Sequence, residues 1–235
     1  MVLFWRLLLA HLIADFPLQT DAVFAVKKEK RWGVLLHSIL FGLVAILLAK
    51  PFLGSGAVWS GLIVLWLLHT AIDKTKLILV SGRRGDHLVY FLSDQVLHIA
   101  ALALASSVLI RIPQVTAIAQ GPASDVHLFK LGAAYVVSIW ASPLLCFYCD
   151  GAFSPRKMGF KAYQPPHWRI LGYVERGMFT AIVALGGALF FLIPIAFLPR
   201  VSIWYFAGKR DFSRWELILG SAMAILAGAW AGTLG

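Results

Sequence analysis

The sequence predicts an all-α fold, a polytopic transmembrane helical bundle with six to seven membrane segments, and three observations carry that reading. Of 235 residues, 60% are hydrophobic and only 14% charged, with a mean hydropathy of +0.81. A soluble domain carries about a quarter of its residues as charges to dress its surface. Long apolar stretches recur at about 34–56, 57–80, 88–110, 128–149, 172–198 and 215–234, each near the roughly 20 helical residues that cross a bilayer. No stretch alternates with the two-residue period of a membrane barrel strand, so helices are the remaining way to satisfy the backbone in lipid.

A shorter apolar stretch opens the chain at about 2–19. Arg6 before an apolar run imitates a signal peptide, but His11 and Asp15 interrupt the run and no small-residue cleavage site follows, so it is kept as structure. The next stretches are separated by basic connections. Lys27, Lys28, Lys30 and Arg31 precede the second segment; Lys74, Lys76, Arg83 and Arg84 follow the third; Arg156, Lys157, Lys161 and Arg169 follow the fifth. These are alternate connections, which puts them on one side, and the excess of lysine and arginine makes that side cytoplasmic. Arg200, Lys209, Arg210 and Arg214 break the pattern, so either that loop is tolerated outside or 172–198, with Pro194 and Pro199 near its end, does not simply cross. The sequence pI of about 9.9 thus reflects orientation in the membrane; no basic groove interleaved with aromatics points to nucleic acid.

The polar connections are too short to fold alone, so 1–235 reads as a single integral membrane domain. The stretch 154–166, bounded by Ser154-Pro155 and Pro165-Pro166, reads as a cytoplasmic loop, a lid or a plain connector.

Inside this apolar frame lie three histidine–aspartate pairs of one spacing: His11 with Asp15, His69 with Asp73, and Asp94 with His98. Four residues is one helical turn, so the members of each pair share a face. Ionisable groups in a membrane segment are expensive and mark functional sites. Orientation and segment order bring the three pairs and His37 to a similar depth near the cytoplasmic face. Four imidazoles and three carboxylates there suit one or two divalent ions, zinc, manganese or iron. The competing reading is a set of buried His–Asp hydrogen bonds that clamp helices together without metal. Gln19 and Gln95 are placed to hydrogen-bond a substrate, and Lys74 and Lys76 to meet a phosphate.

Other candidates are weaker. Cys146 and Cys149 form a lone C-x-x-C, half of a zinc site and without a redox-motif context; two small residues packing in a helix describe them better. Glu175 and Arg176 open the sixth segment on the cytoplasmic side, where Arg176 either pairs with a carboxylate or, the commoner role, anchors to an anionic headgroup.

The string His11-Leu-Ile-Ala-Asp15-Phe-Pro-Leu-Gln19, with His37 downstream, then His69-Thr-Ala-Ile-Asp73-Lys-Thr-Lys76 and Asp94-Gln95-Val-Leu-His98, resembles the bacterial membrane family of domain of unknown function 3307. Its members look alike in an H-x-x-x-D-F-x-L-Q opening, an H-x-x-x-D followed by lysine, and a D-Q-x-x-H. The likeness covers about 8–100, with the C-terminal helices of about 128–235 beyond it. Gly172-Tyr-Val-Glu175-Arg176 is similar to a G-x-L-E-R element of that family, and Glu216 with Gly220 to its final E-x-x-x-x-G stretch, one residue shorter here. The resemblance implies a multi-pass protein of the bacterial inner membrane in contact with membrane lipid. The style of the polar arrangement is also similar to bacterial membrane-bound metal-dependent hydrolases, with no aligned motif.

The functional expectation is a metal-dependent hydrolase of a lipid-linked or phosphoester substrate. His11, His37, His69 and His98 would bind metal, and Asp15, Asp73 and Asp94 would bind it or orient the histidines for catalysis. A metal or proton transporter, and a non-catalytic subunit or assembly factor of a larger membrane complex with protein partners, are the rival readings.

Overall fold

The computed structural model describes residues 2–81, 87–121, 126–153, 166–207 and 216–232. Arg83, Arg84, Arg156, Lys157, Lys161, Lys209, Arg210, Arg214 and nearly all of the loop read as a lid or connector lie outside the described residues. Among the described residues the fold is all-α, without a strand. The chain forms two compact units, Met1–Ala133 and Ala134–Gly235.

The first unit contains α1 (Val2–Asp15), α2 (Asp21–Glu29), α3 (Gly33–Leu48), α4 (Gly56–Ser81), α5 (Leu88–Leu109) and α6 (Pro113–Gln120). α1, α3, α4 and α5 close a four-helix ring in which α1 packs on α3 and α5, and α4 on α3 and α5. The opening segment is therefore structure, and its burial is nearly all round: Leu3, Leu7, Ala10, His11, Leu12, Ala14 and Asp15 are all buried, as befits a helix apolar on every face.

α4 and α5 show how one sequence builds an outside and an inside that are both apolar. The buried residues of α4 are Val58, Leu62, Leu65, His69 and Asp73, steps of three and four that trace one stripe. α5 buries Phe91, Asp94, His98, Leu102, Ser106 and Leu109 in the same way. The opposite faces carry exposed Ile63, Val64, Leu67, Leu97, Leu104 and Val108. The polar side chains thus face inward and apolar ones outward, the reverse of a water-soluble bundle. Because the four helices alternate in direction, all three His–Asp pairs and His37 fall at one end, and the other end is filled by Val2, Leu3, Phe52, Val58, Leu62, Leu102 and Leu109.

α2 was not foreseen. Thr20 caps it, its side chain accepting from the Val23 backbone at 3.4 Å; Asp21 lies in the first turn and Lys27 and Lys28 in the last, favourable at both ends of the helix dipole. It packs on α3 through Gly33, where a Cβ would lie 2.0 Å from the Val26 carbonyl oxygen and 2.7 Å from Lys27 Cα.

The continuous helical run His127–Phe153 comprises α7 (His127–Val136), a π-helical turn (Val137–Ala141) and α8 (Ser142–Phe153). Pro143 lacks the N–H that would bond the carbonyl one turn back, and the widened turn accommodates its ring. The second unit continues with α9 (Pro166–Leu185), a 3-10 helix (Gly187–Leu192), α10 (Ile193–Ala196), α11 (Leu198–Ala207), a π-helical turn (Glu216–Gly220) and α12 (Ser221–Gly232). The expected segment 172–198 is not one helix. Gly186 and Gly187 adopt φ of +65° and +60°, left-handed conformations that end α9 and turn the chain.

Two helices, Leu88–Leu109 and His127–Phe153, are long and apolar enough to cross a membrane by length and composition. Glu175 and Arg176 are each 1% exposed, so Arg176 is no surface anchor for a lipid headgroup; its guanidinium folds back towards Gly172 and lies near Gly220. Beside it, Thr180 Oγ1 donates to the Arg176 carbonyl at 2.9 Å and lies 2.7 Å from Ser138 Oγ. Cys146 and Cys149 are buried free thiols.

Candidate metal centre

All four expected histidines and all three expected aspartates converge inside the first unit. His11, His37, His69 and His98 are 0–3% exposed, and Asp15, Asp73 and Asp94 are 1–6% exposed. The His11 ring stacks on His98 at 4.7 Å between centroids; His69 lies 4.4 Å from His98 and 5.3 Å from His37. The Phe41 ring covers His69 from the apolar side at 4.6 Å.

The carboxylates are divided between two tasks. One oxygen of each is held from outside: Gln95 Nε2 donates to Asp15 Oδ2 at 3.4 Å and Asp94 Oδ2 at 3.1 Å, Lys76 Nζ donates to Asp94 Oδ2 at 3.4 Å, and Lys27 Nζ lies 2.7 Å from Asp73 Oδ1. The other oxygen of each turns to the histidines. Asp15 Oδ1 has His37 Nε2 at 3.2 Å and His11 Nδ1 and His69 Nε2 each at 3.6 Å. Asp73 Oδ2 has His37 Nε2 and His69 Nε2 each at 3.5 Å. Asp94 Oδ1 has His98 Nδ1 at 3.7 Å.

Most of these separations are too long for charge-assisted hydrogen bonds, which run at about 2.7–2.9 Å. They match the edges of a coordination polyhedron: ligand atoms about 2.1 Å from a tetrahedral ion stand about 3.4 Å from each other. Three trios of ligand atoms, from His11, Asp15 and His69, from His37, His69 and Asp73, and from Asp15, Asp94 and His98, each lie within 4.8 Å of one another.

Proton placement points the same way. His98 Nδ1 lies 2.9 Å from the Asp94 carbonyl oxygen, which only accepts, so Nδ1 carries the hydrogen and Nε2 presents a bare lone pair. That Nε2 is buried without a hydrogen-bond partner, as are His69 Nε2 and Asp94 Oδ1. Gln95 directs its amide nitrogen at the carboxylates and its Oε1 at His11 Nε2, 3.4 Å away. His11 Nε2 then donates, and in the neutral ring Nδ1 turns a lone pair towards Asp15 Oδ1. Two acceptors facing each other in a buried site call for a cation between them.

The remaining expected residues divide. Gln95 orients the site from within, and Lys76 sits at its edge, half-buried. Gln19 accepts from Lys27 Nζ at 3.2 Å. Lys74 is exposed, turned about 100° round the helix from Asp73, and is not among the groups gathered here. Lys27 lies beyond the expected set: the sequence places it with the basic residues before the second segment. Its signal was local, a Thr-Asp helix start at 20–21 that puts residue 27 one to two turns on, facing back towards Gln19.

The model of the family described as Protein of unknown function (DUF3307) matches residues 3–121, just over half of the chain. The chain belongs to the DUF3307 family. The match contains every residue of the cluster and extends beyond the 8–100 over which the motifs were recognisable. The likenesses drawn for Gly172–Arg176 and for Glu216 with Gly220 lie outside the DUF3307 match. No curated protein and no solved structure matches the chain significantly.

Proposed function

We propose that this DUF3307 protein is a multi-pass inner-membrane protein of six to seven segments whose first unit holds a divalent zinc, manganese or iron ion and hydrolyses a lipid-linked or phosphoester substrate. The observation that carries the metal is the set of inward lone pairs: His69 Nε2, His98 Nε2 and Asp94 Oδ1, buried without a hydrogen-bond partner, and His11 Nδ1 facing Asp15 Oδ1 at 3.6 Å. His11, His37, His69 and His98 with the inner oxygens of Asp15, Asp73 and Asp94 would hold the ion. A bound ion supplies a water of lowered pKa and an electrophilic centre. Gln95, Lys27 and Lys76 fix the carboxylates from outside, as groups behind metal ligands do.

The rim and the flanks support this substrate class. Lys76 and the amide nitrogen of Gln19, on partly buried side chains at the edge of the cluster, are donors suited to a phosphate. Exposed Leu67, Leu68, Ile78, Leu92, Val96 and Leu97 flank the same end of α4 and α5, a surface suited to acyl chains. α4, with 26 residues, is about 39 Å long, enough to span a hydrocarbon core of roughly 30 Å. Transport is disfavoured by the apolar packing that fills the other end of the bundle, since a pathway needs polar groups continuing across the membrane.

Two measurements test this. Purified protein with manganese or zinc is expected to release phosphate or alcohol from a panel of phosphoester lipids, with Asp15→Asn inactive; a loaded protein inert on every phosphoester lipid overturns the hydrolase assignment. Cysteines introduced at positions 28, 83 and 157 are expected to be shielded from an impermeant thiol reagent added to intact cells. Labelling of any one of them breaks the shared cytoplasmic face.

A further inference from the structure

Lys27 differs from the rest of its basic stretch. Lys28, Lys30 and Arg31 are exposed, whereas Lys27 is 8% exposed with its ammonium 2.7 Å from Asp73 Oδ1 and 3.2 Å from Gln19 Oε1. A buried lysine is kept only where something compensates the loss of water. Asp73 faces His37 and His69 through Oδ2, each 3.5 Å away, so one carboxylate has the ammonium on one oxygen and the candidate ligand set on the other. The placement is built into the backbone. α2 is capped at Thr20, and its last turn meets α3 where Gly33 leaves no room for a side chain, a Cβ there falling 2.0 Å from the Val26 carbonyl oxygen.

Charge then limits the number of ions. Among the described residues that meet at the cluster, Asp15, Asp73 and Asp94 bring three negative charges and Lys27 and Lys76 two positive ones. One divalent ion brings the neutral-histidine site to one positive charge, which an anionic phosphate neutralises; two would leave three positive charges in a buried place, an arrangement strongly opposed at low dielectric. Yet the seven ligand residues exceed what one ion needs, and the trios are chained, the first to the third by Asp15 and the first to the second by His69, the pattern of a centre with room for two ions.

We infer that Lys27 is the second cation of this centre, a tethered ammonium held on Asp73 by the docked α2, so that the protein binds one divalent ion and accepts a second only when Lys27 is removed or α2 is released. The inference rests on the metal reading proposed above. It makes Lys27 a positioning residue that sets nuclearity.

The test is calorimetric titration of the full-length, chelator-stripped protein in detergent micelles with manganese chloride. Wild type and Lys27→Arg are expected to take up one equivalent. Lys27→Met, which keeps the length of the side chain without its charge, is expected to take up two. Gly33→Leu, which forces the end of α2 away from α3 while leaving Lys27 in the sequence, is expected to take up two as well, and provides the answer should the methionine variant not fold. Two equivalents in wild type, or one in both variants at unchanged affinity, overturns the role of Lys27 while leaving the metal centre standing. No uptake by any of the proteins overturns the metal reading itself.

Discussion

Alanine at His69 or His98 is expected to strip the protein of its metal, and with it of any hydrolytic activity. His98 offers a bare Nε2 fixed by the bond between its Nδ1–H and the Asp94 carbonyl at 2.9 Å, and His69 Nε2 stands between Asp15 Oδ1 at 3.6 Å and Asp73 Oδ2 at 3.5 Å. Neither has a substitute, because no other described imidazole reaches those positions. Elemental analysis of purified wild type is expected to find bound zinc, manganese or iron, and in each variant the affinity should fall by more than the roughly 10–100-fold that loss of an outer partner costs. Gln95→Leu provides that comparison. It removes the amide that steadies Asp15 and Asp94 while leaving every nitrogen and inner oxygen in place, so its loss should stay within that range. Metal content equal to wild type in His69→Ala or in His98→Ala would remove that histidine from the ligand set.

The helical class and the cluster were legible because both depend on local spacing. Four residues between His11 and Asp15, His69 and Asp73, and Asp94 and His98 put each pair on one face, and alternating helix direction did the rest. His37, a single residue without a partner in sequence, joined them on segment order alone and is 3.2 Å from Asp15 Oδ1. What the sequence concealed depends on tertiary placement. Lys27 sits among exposed basic residues, and only the close packing of α2 on Gly33 turns it inward. Lys74 and Lys76 look equivalent beside Asp73, but two residues of helix send Lys76 to Asp94 and leave Lys74 exposed. The basic residues after 172–198 and its Pro194 and Pro199 marked that run as one that does not simply cross, but not where it breaks: Gly186-Gly187 gave no warning, because glycine is common in membrane helices and the turn there is a property of backbone angles. Of the two roles the sequence offered Arg176, its burial removes headgroup anchoring; the sequence favoured that role because near the end of a predicted span an arginine suits the interface equally well.

A chelator separates a metal centre from a metal-free polar clamp, since the two predict opposite responses of the same protein. An ion that binds the folded chain alone stabilises it by an amount that grows with the logarithm of its concentration over the dissociation constant, about 4 kcal/mol at a thousandfold excess. For a chain of this size that corresponds to a shift on the order of ten degrees in the unfolding midpoint. Wild type in detergent is therefore expected to lose about that much on addition of a strong chelator and to regain it with zinc or manganese. The double variant His69→Ala with His98→Ala, which has no complete ligand trio left, is expected to melt at one temperature under all three conditions. Under the clamp reading the pattern inverts. Wild type would ignore the chelator, and removing one partner from a buried pair would itself cost about 3–5 kcal/mol, so the variant would melt well below chelator-treated wild type. The separations of 3.5 to 3.6 Å between His69 Nε2 and its two carboxylate oxygens favour the first pattern, because hydrogen bonds that weak have little stability to lose, whereas the same gaps are the right width for an ion.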